Sequence, residues 1–505
     1  MIGKALPVQA RAQKTTGRIG VVDIGSNTVR LVVYDVPDRM PVPMFNEKAE
    51  CRLVEGLSET GKLSEKGTAR AMASLGRFVQ LAESMRVDTL DLVATAAVRE
   101  ASDGEAFVRA IEETFEHITV TVLSGAEEAE LSALGLLVGV PTATGLLGDL
   151  GGGSLDVVLL KNGKGLKYGT LPLGHVRLRE LAGGKIRKAN SIIKENLDQS
   201  EWLQDAKGQD LYLAGGVMRA LSRVFIEQMD YPLHIVDQFS VRSDEAARMA
   251  SLLAGLSAST LKKIPAISPA RVKSIPFAAA SVAQLVERIK PKRVVFSGYG
   301  MREGQMLKRL PPEMREQDPL IAGAMTFAER TGRFSLDGSE VANWVSPLFP
   351  DMDTADERRI LAACLLSDIG WNEHPDYRAE HAFYRCLRLP YAGLTHADRV
   401  FIATSVYVRY NGDFDAPLVN SVQSLLAEDQ LKKVDGIGRA IRLAHTLSGS
   451  APGLLSRTRL ERKAKSLVLH LPGDTAVFRS DTVERRFRGL TKVLGLRGLI
   501  NKKAV

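Results

Sequence analysis

Two segments of the chain repeat each other at an offset of 126 residues. The first reads Asp-Ile-Gly-Ser-Asn-Thr from Asp23, and the second reads Asp-Leu-Gly-Gly-Gly-Ser from Asp149. Each segment lies between two apolar runs, which is the pattern of a strand, a tight turn and a second strand. Two copies of one hairpin predict two similar domains whose turns face each other across a cleft.

The second turn is suited to binding an anion. Glycine adopts a positive φ at little cost, and a glycine turn lets backbone N–H groups point into one concavity, where they can bind a phosphate oxygen. Asp149 and Asp156 flank this turn as hard oxygen donors, the ligand type that Mg²⁺ prefers. A glycine-rich hairpin with solvated aspartates explains this segment alone equally well, because short motifs also match by chance.

The composition is typical of a globular protein, since 45% of the 505 residues are hydrophobic and 25% are charged. No apolar run approaches the roughly 20 residues that span a bilayer, so the sequence predicts no membrane span. Residues 1–17 lack the apolar stretch of a secretion signal and are interpreted as a flexible tail, which predicts a cytoplasmic location. Cys51, Cys364 and Cys386 have no metal-like spacing, which predicts buried free thiols.

Strands and helices alternate after each of the two hairpins. This order is typical of a mixed α/β sheet covered by helices. It predicts one lobe at 18–138 and a second lobe at 139–315. Pro311-Pro312 and Asp318-Pro319 mark the end of the second lobe, because consecutive prolines continue neither a helix nor a central strand.

The C-terminal part of the chain has a different pattern. Long helical periodicities fill 316–450, including one continuous helix over 419–447. Residues 451–505 contain 13 Lys or Arg and 4 Asp or Glu, a net charge of +9, while the first 450 residues carry −1. A basic segment favours a polyanionic partner, although a solvated basic surface without a partner is equally consistent. Within it the pattern predicts strands at 466–471 and 475–478 and a helix at 481–494.

The paired hairpins resemble the phosphate-binding motifs of the actin, sugar kinase and chaperone superfamily. Together with the motifs at Thr95–Ala101, Ser124–Ala129 and Arg302–Gly304, they resemble the exopolyphosphatase and guanosine pentaphosphate phosphohydrolase family. The resemblance implies an α/β fold with two actin-like (ribonuclease H-like) lobes, followed by a mostly helical HD-like domain and a small basic α+β C-terminal region. It also implies a homodimer.

Phosphoanhydride hydrolysis needs a metal ion, donors that hold the phosphate, and a group that activates water. Glu128, at the start of a helix, is the predicted general base, and the resemblance points to the same glutamate. Arg99 is predicted to pair bidentately with phosphate oxygens. The predicted metal ligands are Asp23, Asp149 and Asp156, and the predicted phosphate-binding residues are Gly25, Ser26, Asn27, Thr28, Gly151, Gly152, Gly153 and Ser154.

Simpler explanations exist for these residues. Arg99 alone is also consistent with an arginine on a surface loop. Glutamates at the start of a helix are favoured by the helix dipole, and Glu127 is expected to have only that role. Other members of the resembled family commonly carry a glutamate where Asp156 stands, so the metal position can differ here. Ser367-Asp368 occupies the place of the adjacent His-Asp pair of HD phosphohydrolases, which favours a metal-free helical scaffold.

The leading hypothesis is an exopolyphosphatase that uses Mg²⁺ to hydrolyse inorganic polyphosphate, with guanosine pentaphosphate as an alternative substrate. An ATP-dependent kinase of the same superfamily and a catalytically weak regulator that binds polyphosphate or an alarmone remain open. The chain contains no Walker-type phosphate loop. Specific nucleic-acid binding rests only on the basic tail and is not expected.

Overall fold

The computed structural model describes residues 17–501 except 37–38, 40–41, 333–337 and 473–477. The chain divides into two compact units, one ending at Glu316 and the other beginning at Gln317. Residues 1–16 of the predicted tail and residues 475–477 of the strand predicted at 475–478 lie outside the described residues. No helix in the described ranges is long and apolar enough to cross a bilayer.

The elements of the first unit follow the predicted alternation of strands and helices. Its strands are β1 Arg18–Ile24, β2 Thr28–Asp35, β3 Val42–Glu50, β4 Thr89–Ala94, β5 Val120–Val122, β6 Gly145–Leu150, β7 Leu155–Lys161, β8 Lys164–Leu171, β9 Asp210–Ala214, β10 Phe239–Arg242 and β11 Arg293–Phe296. Its α-helices are α1 Leu57–Thr60, α2 Glu65–Ser84, α3 Ala96–Glu100, α4 Gly104–Thr114, α5 Gly125–Gly139, α6 His175–Leu181, α7 Ile186–Asp198, α8 Gly216–Gln228, α9 Ser243–Gly255, α10 Ala258–Leu261, α11 Ile275–Ile289, α12 Met301–Arg309 and α13 Pro312–Arg315.

The two sheets of this unit share one topology. The first has the strand order β3-β2-β1-β4-β5, and the second has the order β10-β11-β9-β6-β7-β8. In each sheet the hairpin is antiparallel and the next strand, β4 or β9, runs parallel to its first strand. Each sheet has its own apolar core. The internal repeat therefore corresponds to a repeated three-dimensional unit.

Helices α5 and α12 link the two sheets. The α5 helix runs from β5 of the first sheet to β6 of the second, and it crosses α12 where both helices carry glycine. A Cβ atom on Gly135 would overlap the carbonyl group of Gly300, and a Cβ on Gly304 would overlap that of Leu131. The glycines are needed because the two backbones approach without room for a side chain.

Side chains on α12 also bind the first sheet. Tyr34 Oη donates to Glu303 Oε1 at 2.6 Å. Asp91, which is buried, accepts hydrogen bonds from Gln305 Nε2 at 2.8 Å and from Arg309 Nε at 2.9 Å. Helix α12, which follows the second sheet in sequence, is therefore hydrogen-bonded to strands β2 and β4 of the first sheet.

The second unit is mostly helical. Its α-helices are α14 Pro319–Thr331, α15 Gly338–Val345, α16 Thr354–Leu365, α17 Arg378–Leu387, α18 His396–Arg409, α19 Pro417–Asn420, α20 Glu428–Ser448 and α21 Asp481–Val493. The strands β12 Arg459–Arg462, β13 Ser466–His470 and β14 Arg497–Asn501 form a small sheet in the order β12-β13-β14. The strand predicted at 466–471 and the helix predicted at 481–494 are confirmed within a residue at their ends.

The continuous helix predicted over 419–447 is wrong. The chain forms the short helix α19, a 3-10 turn at Gln423–Leu425 and then the long helix α20. Val422 and Leu426 are buried within the break, so the apolar pattern continues where the helix does not. Hydrophobic periodicity alone cannot detect such a break, because the irregular segment buries apolar side chains as a helix would.

Cys51, Cys364 and Cys386 are buried free thiols, as the sequence predicts. Burial raises the pKa of the Cys386 thiol to about 12, so this sulfur stays protonated at neutral pH.

Candidate active site

The two repeated turns are closed by the same hydrogen bond. Gly25 N donates to Thr28 O at 3.0 Å, and Gly151 N donates to Ser154 O at 2.9 Å. The N–H groups of these two glycines therefore close the turns, whereas the phosphate-binding role predicted for them stays a prediction. Ser154 Oγ also points back into the protein, where it lies 3.4 Å from Asp156 Oδ2.

The carbonyl groups of both turns are held from behind. In the first turn Val54 N donates to Ser26 O at 3.2 Å, and in the second turn Val176 N donates to Gly152 O at 3.0 Å. Because a trans peptide directs its N–H opposite to its C=O, the N–H groups of Asn27 and Gly153 point away from these supports. No acceptor in the described part of the chain binds the N–H groups of Ser26, Asn27, Gly152 or Gly153.

The two turns face each other, as the repeat predicts. A Cβ atom on Gly152 would lie 3.3 Å from Ser26 Cβ, and one on Gly153 would lie 3.6 Å from Ser26 Oγ. Ser26, Gly152 and Gly153 also line a cavity of about 280 Å³, but its wall includes the supporting residues Val54 and Val176 and none of the predicted catalytic or metal-binding residues. The unbound N–H donors of the two turns point away from those supports, and together they are suited to binding an anion.

Glu127 and Glu128 begin helix α5 and have different environments. Glu127 forms a capping box with Ser124: Glu127 N donates to Ser124 Oγ at 3.3 Å, and Ser124 N donates to Glu127 Oε2 at 2.8 Å. Glu127 therefore caps the helix, a structural role in addition to the helix-dipole effect expected from the sequence. Glu128 is the next residue along the helix and is 7% exposed, so its carboxylate is directed into the protein.

Glu128 is paired with Arg99, the other residue predicted to be catalytic. Arg99 Nη1 donates to Glu128 Oε1 and also to Leu123 O, the latter at 2.5 Å. Burial raises the pKa of Glu128 to about 7, an effect that Arg99 partly opposes and that the charges of Asp23 and Asp149 strengthen. Glu128 Oε2 accepts no hydrogen bond from the described residues. A carboxylate with this pKa and an open oxygen can accept a proton from water at neutral pH.

Asp156 lies on β7 directly opposite Asp149 on β6. It is 5% exposed, and Thr170 Oγ1 donates to its Oδ1 at 2.8 Å. Burial raises the pKa of Asp156 well above its usual range, and the nearby carboxylate of Glu128 raises it further. A buried carboxylate whose pKa is raised by neighbouring carboxylates marks a place where a cation is favoured.

The two remaining predicted metal ligands have hydrogen-bond donors of their own. Asp149 Oδ2 accepts a hydrogen bond from Ser132 Oγ at 2.6 Å, and burial raises the pKa of Asp149. Asp23 Oδ2 accepts one from Arg302 Nη1 at 2.9 Å. The carboxylate of Asp23 is therefore neutralised by an arginine, whereas that of Asp149 is oriented by a hydroxyl group.

The donor chemistry beside the second turn fits Mg²⁺. No three His, Cys, Asp or Glu side chains in the described ranges are close enough to hold a metal ion by themselves. Mg²⁺ is commonly held by one or two carboxylates, with water and phosphate oxygens completing its octahedron. Asp149 and Asp156 supply two such carboxylates beside the N–H groups of the second turn.

Three polar residues of the site were not assigned a role from the sequence. Ser132 lies one helical turn after Glu128, so the helix period would have revealed it. Arg302 belongs to the motif at Arg302–Gly304, whose sequence does not indicate a partner for the arginine. Thr170 reaches Asp156 through the pairing of β7 with β8, which no local pattern indicates.

Comparisons with known proteins extend these observations. The model of the "Ppx/GppA phosphatase family" matches residues 32–313, and the model "Exopolyphosphatase, C-terminal" matches residues 327–500. Exopolyphosphatase 1 of Mycobacterium leprae (strain TN) is 35% identical over 168 residues, which cover 32% of this chain and 48% of that protein. The match thus spans about half the length of this curated relative.

Solved structures of the same family share the fold. The Aquifex aeolicus member of the Ppx/GppA family has a TM-score of 0.51 and 21% identity, covering 58% of this chain and 97% of its own. An exopolyphosphatase from Cytophaga hutchinsonii has a TM-score of 0.52 and 22% identity, covering 58% of this chain and 99% of its own. These likenesses confirm the predicted fold with its two actin-like lobes. Since the first family model covers more than half of the sequence, the chain belongs to the Ppx/GppA phosphatase family.

Proposed function

We propose that this protein is an exopolyphosphatase, which removes the terminal phosphate from inorganic polyphosphate with Glu128 as the general base. The observation that carries the proposal is the buried Glu128 carboxylate, whose pKa is raised to about 7 and whose Oε2 is open. A general base is most effective when its pKa lies near the working pH. Family membership and the curated exopolyphosphatase relative support the same reaction class.

In this mechanism the terminal phosphate lies between the two turns. The N–H groups of Asn27, Gly152 and Gly153 donate to its oxygens, and they are already oriented because the carbonyl groups of both turns are held from behind. Glu128 Oε2 takes a proton from the attacking water, the new bond forms at phosphorus, and the bond to the bridging oxygen breaks. The products are orthophosphate and a chain shorter by one phosphate.

Asp149 and Asp156 would hold Mg²⁺ beside the second turn. When bound, the ion neutralises negative charge on the phosphoryl group. Ser132 and Thr170 orient the two carboxylates through hydrogen bonds of 2.6 Å and 2.8 Å, so their oxygens need little rearrangement. Arg99 holds Glu128 in place and lowers the pKa that burial raises.

Guanosine pentaphosphate is the alternative substrate, since it carries the same terminal phosphoanhydride bond. A kinase and a non-catalytic regulator remain the other hypotheses. The homodimer and the cytoplasmic location stay predictions. A hydrolase releases phosphate without a nucleotide cofactor, a kinase requires ATP, and a non-catalytic regulator releases no phosphate.

The test is phosphate release by the purified full chain with Mg²⁺ and long-chain polyphosphate, without any nucleotide. We expect release by the wild type and a loss of about 10²–10⁴-fold in Glu128→Gln, the usual contribution of general acid–base catalysis. Guanosine pentaphosphate is assayed in parallel, so the ratio of the two kcat/KM values identifies the preferred substrate.

Glu127→Gln is the matched control, because it changes the neighbouring glutamate, which caps the helix. It should lower thermal stability slightly and leave the rate within a few-fold of wild type. Full activity in Glu128→Gln, or no phosphate release by the wild type with any divalent metal, would overturn the proposal. Release that strictly requires ATP would support a kinase instead.

A further inference from the structure

An ion pair connects helices that follow the two different sheets of the first unit. Arg177 lies on α6, which follows strand β8 of the second sheet, and Glu100 is the last residue of α3, which follows strand β4 of the first sheet. Arg177 Nη2 donates to Glu100 Oε2, and the two side chains are 30% and 39% exposed. Both residues line the cavity of about 280 Å³ beside the two turns, and neither is one of the predicted site residues.

Helix α6 supports the second turn through its backbone. The first three residues of this helix donate their N–H groups to carbonyl oxygens of the turn. His175 N donates to Gly151 O at 3.1 Å. Val176 N and Arg177 N donate to Gly152 O at 3.0 Å and 3.2 Å. A displacement of α6 would therefore displace the second turn, and with it the N–H groups that the proposed mechanism uses to hold the terminal phosphate.

Helix α3 carries the partner of the general base. Arg99 directly precedes Glu100 and donates to Glu128 Oε1. The helix has only five residues, and its start is tied to the first sheet by Thr95 N, which donates to Ile24 O at 3.2 Å. Because Arg99 and Glu100 are adjacent on one short helix, a force on the side chain of Glu100 is transmitted to the position of Arg99.

We infer that Glu100 and Arg177 are positioning residues, which set the distance between the general base and the second turn. The connection runs from Glu128 through Arg99 and helix α3 to Glu100, and from Arg177 through helix α6 to the turn. The reacting atoms must lie about 3–3.5 Å apart, and a misplacement of about 1 Å can cost roughly 10²-fold in rate. The inference rests on the proposed function, because it assigns the pair a role in that reaction.

The ion pair acts on geometry more than on stability. Ion pairs between partly exposed side chains contribute little to the free energy of unfolding, because water competes for both charges. The backbone hydrogen bonds that hold α3 and α6 do not depend on the side chains of Glu100 and Arg177. Removing either charge should therefore change the melting temperature by no more than about 3 °C.

The test compares phosphate release from long-chain polyphosphate with Mg²⁺ by the full chain and its variants. Glu100→Gln and Arg177→Gln should each lower kcat by about tenfold, because either change frees the base to shift relative to the turn. KM should stay within about twofold of wild type, since the N–H groups of the turns remain. The double variant should lose no more than either single variant, because both single changes break the same contact. Arg177→Lys, which keeps the charge, should recover part of kcat.

Arg288→Gln is the matched control. Arg288 Nη1 pairs with Asp198 Oδ1 at 3.0 Å, and the side chains are 23% and 52% exposed, but this pair joins α11 to α7 and does not connect the two sheets. The control should keep the kcat of the wild type. Losses that add in the double variant would overturn the inference. So would a raised KM in Arg177→Gln with an unchanged kcat in Glu100→Gln, which would make the arginine a direct substrate contact.

The positioning role and the proposed function fail in different ways. A wild type that releases no phosphate, or full activity in Glu128→Gln, would overturn both. An active wild type and an impaired Glu128→Gln, together with full kcat in Glu100→Gln and Arg177→Gln, would overturn the positioning role alone. A fall in melting temperature well beyond 3 °C, accompanied by the same fall in kcat, would show that the pair maintains the fold, which also contradicts the inference.

Discussion

Asp149 and Asp156 are direct cross-strand partners on β6 and β7, at the position where the first hairpin pairs Asp23 with Arg30. The repeat thus keeps the backbone register and replaces an opposite-charge pair with a like-charge pair. Like charges opposite each other in a sheet are destabilising. In the first hairpin Arg30 supplies the positive charge opposite the aspartate, whereas the second hairpin can bind a cation at the same position.

Replacing Asp156 by Asn should make the protein more stable and less active. Folding raises the pKa of Asp156, so the folded state binds this proton more tightly than the unfolded state does. The free energy of unfolding therefore decreases as the pH rises above the ordinary Asp pKa, and it stops decreasing above the raised pKa of the folded state. The gain in unfolding temperature should therefore be larger at pH 8 than at pH 5. Phosphate release should fall by at least ~10²-fold.

Calorimetric scans at the two pH values, with a phosphate-release assay, measure both effects of this change. Asp205→Asn is the control, because Asp205 is half exposed and pairs with Lys167 at 2.8 Å. A variant of Asp156 that is equally destabilised at both pH values would show that the carboxylate is needed for packing.

Replacing Arg99 by Met should shift the pH dependence of kcat/KM to higher pH. Glu128 acts in its deprotonated form, so the rate should rise with pH through a pKa of about 7 in the wild type. Arg99 lowers that pKa, and its removal should move the rising limb upward. A profile that drops in height without moving along the pH axis would mean that Arg99 does not act on Glu128.

Replacing Ser132 by Ala should weaken the response to Mg²⁺. Ser132 Oγ orients Asp149 at 2.6 Å, and loss of such a supporting hydrogen bond typically costs 10–100-fold in metal affinity. The Mg²⁺ concentration for half-maximal activity should rise by about tenfold, with most of kcat recovered at saturating metal. An unchanged Mg²⁺ titration would remove Asp149 from the metal site.

Replacing Gly135 by Ala should destabilise the first unit by about 1–3 kcal/mol or more, because the new Cβ would overlap the carbonyl group of Gly300. Gly255→Ala is the control, since a Cβ there meets nothing within 4 Å. Thermal denaturation should show a lower transition for the first variant only. Equal transitions would mean that α5 and α12 separate at no cost.

Much of the first unit can be predicted from the sequence, because its turns, strands and helices have patterns within short segments of the chain. The repeat at Asp23 and Asp149 predicts the two hairpins, and the alternation of strands and helices predicts the α/β character of the unit. The sequence pattern does not indicate the edge strand β3, because exposed polar residues obscure its alternation. Pairing of Thr170 with Asp156 and of Arg302 with Asp23 depends on contacts between distant segments, which no sequence window contains.

A cavity of the helical unit that is lined by Arg378, Arg409, Arg442 and Arg486 shows the same limit. The sequence indicates a basic C-terminal region, and Arg486 belongs to it. Arg378, Arg409 and Arg442 come from the preceding helices, whose overall charge is not basic. Only the packing of α17, α18, α20 and α21 brings these residues into one cavity.

The capping box at Ser124 fixes the rotational phase of helix α5, and with it the chemistry of the two glutamates. Successive residues of an α-helix differ by about 100° in direction, so the residue after the cap is aimed at the cleft while the cap residue is not. Deleting one residue between Leu123 and Glu127 would preserve both glutamates in the sequence, but it would place Glu128 at the capping position and leave no glutamate at the buried position. The carboxylate of the general base would then point about 100° away from its present direction. Neither the composition nor the number of acidic residues in the motif would reveal this change.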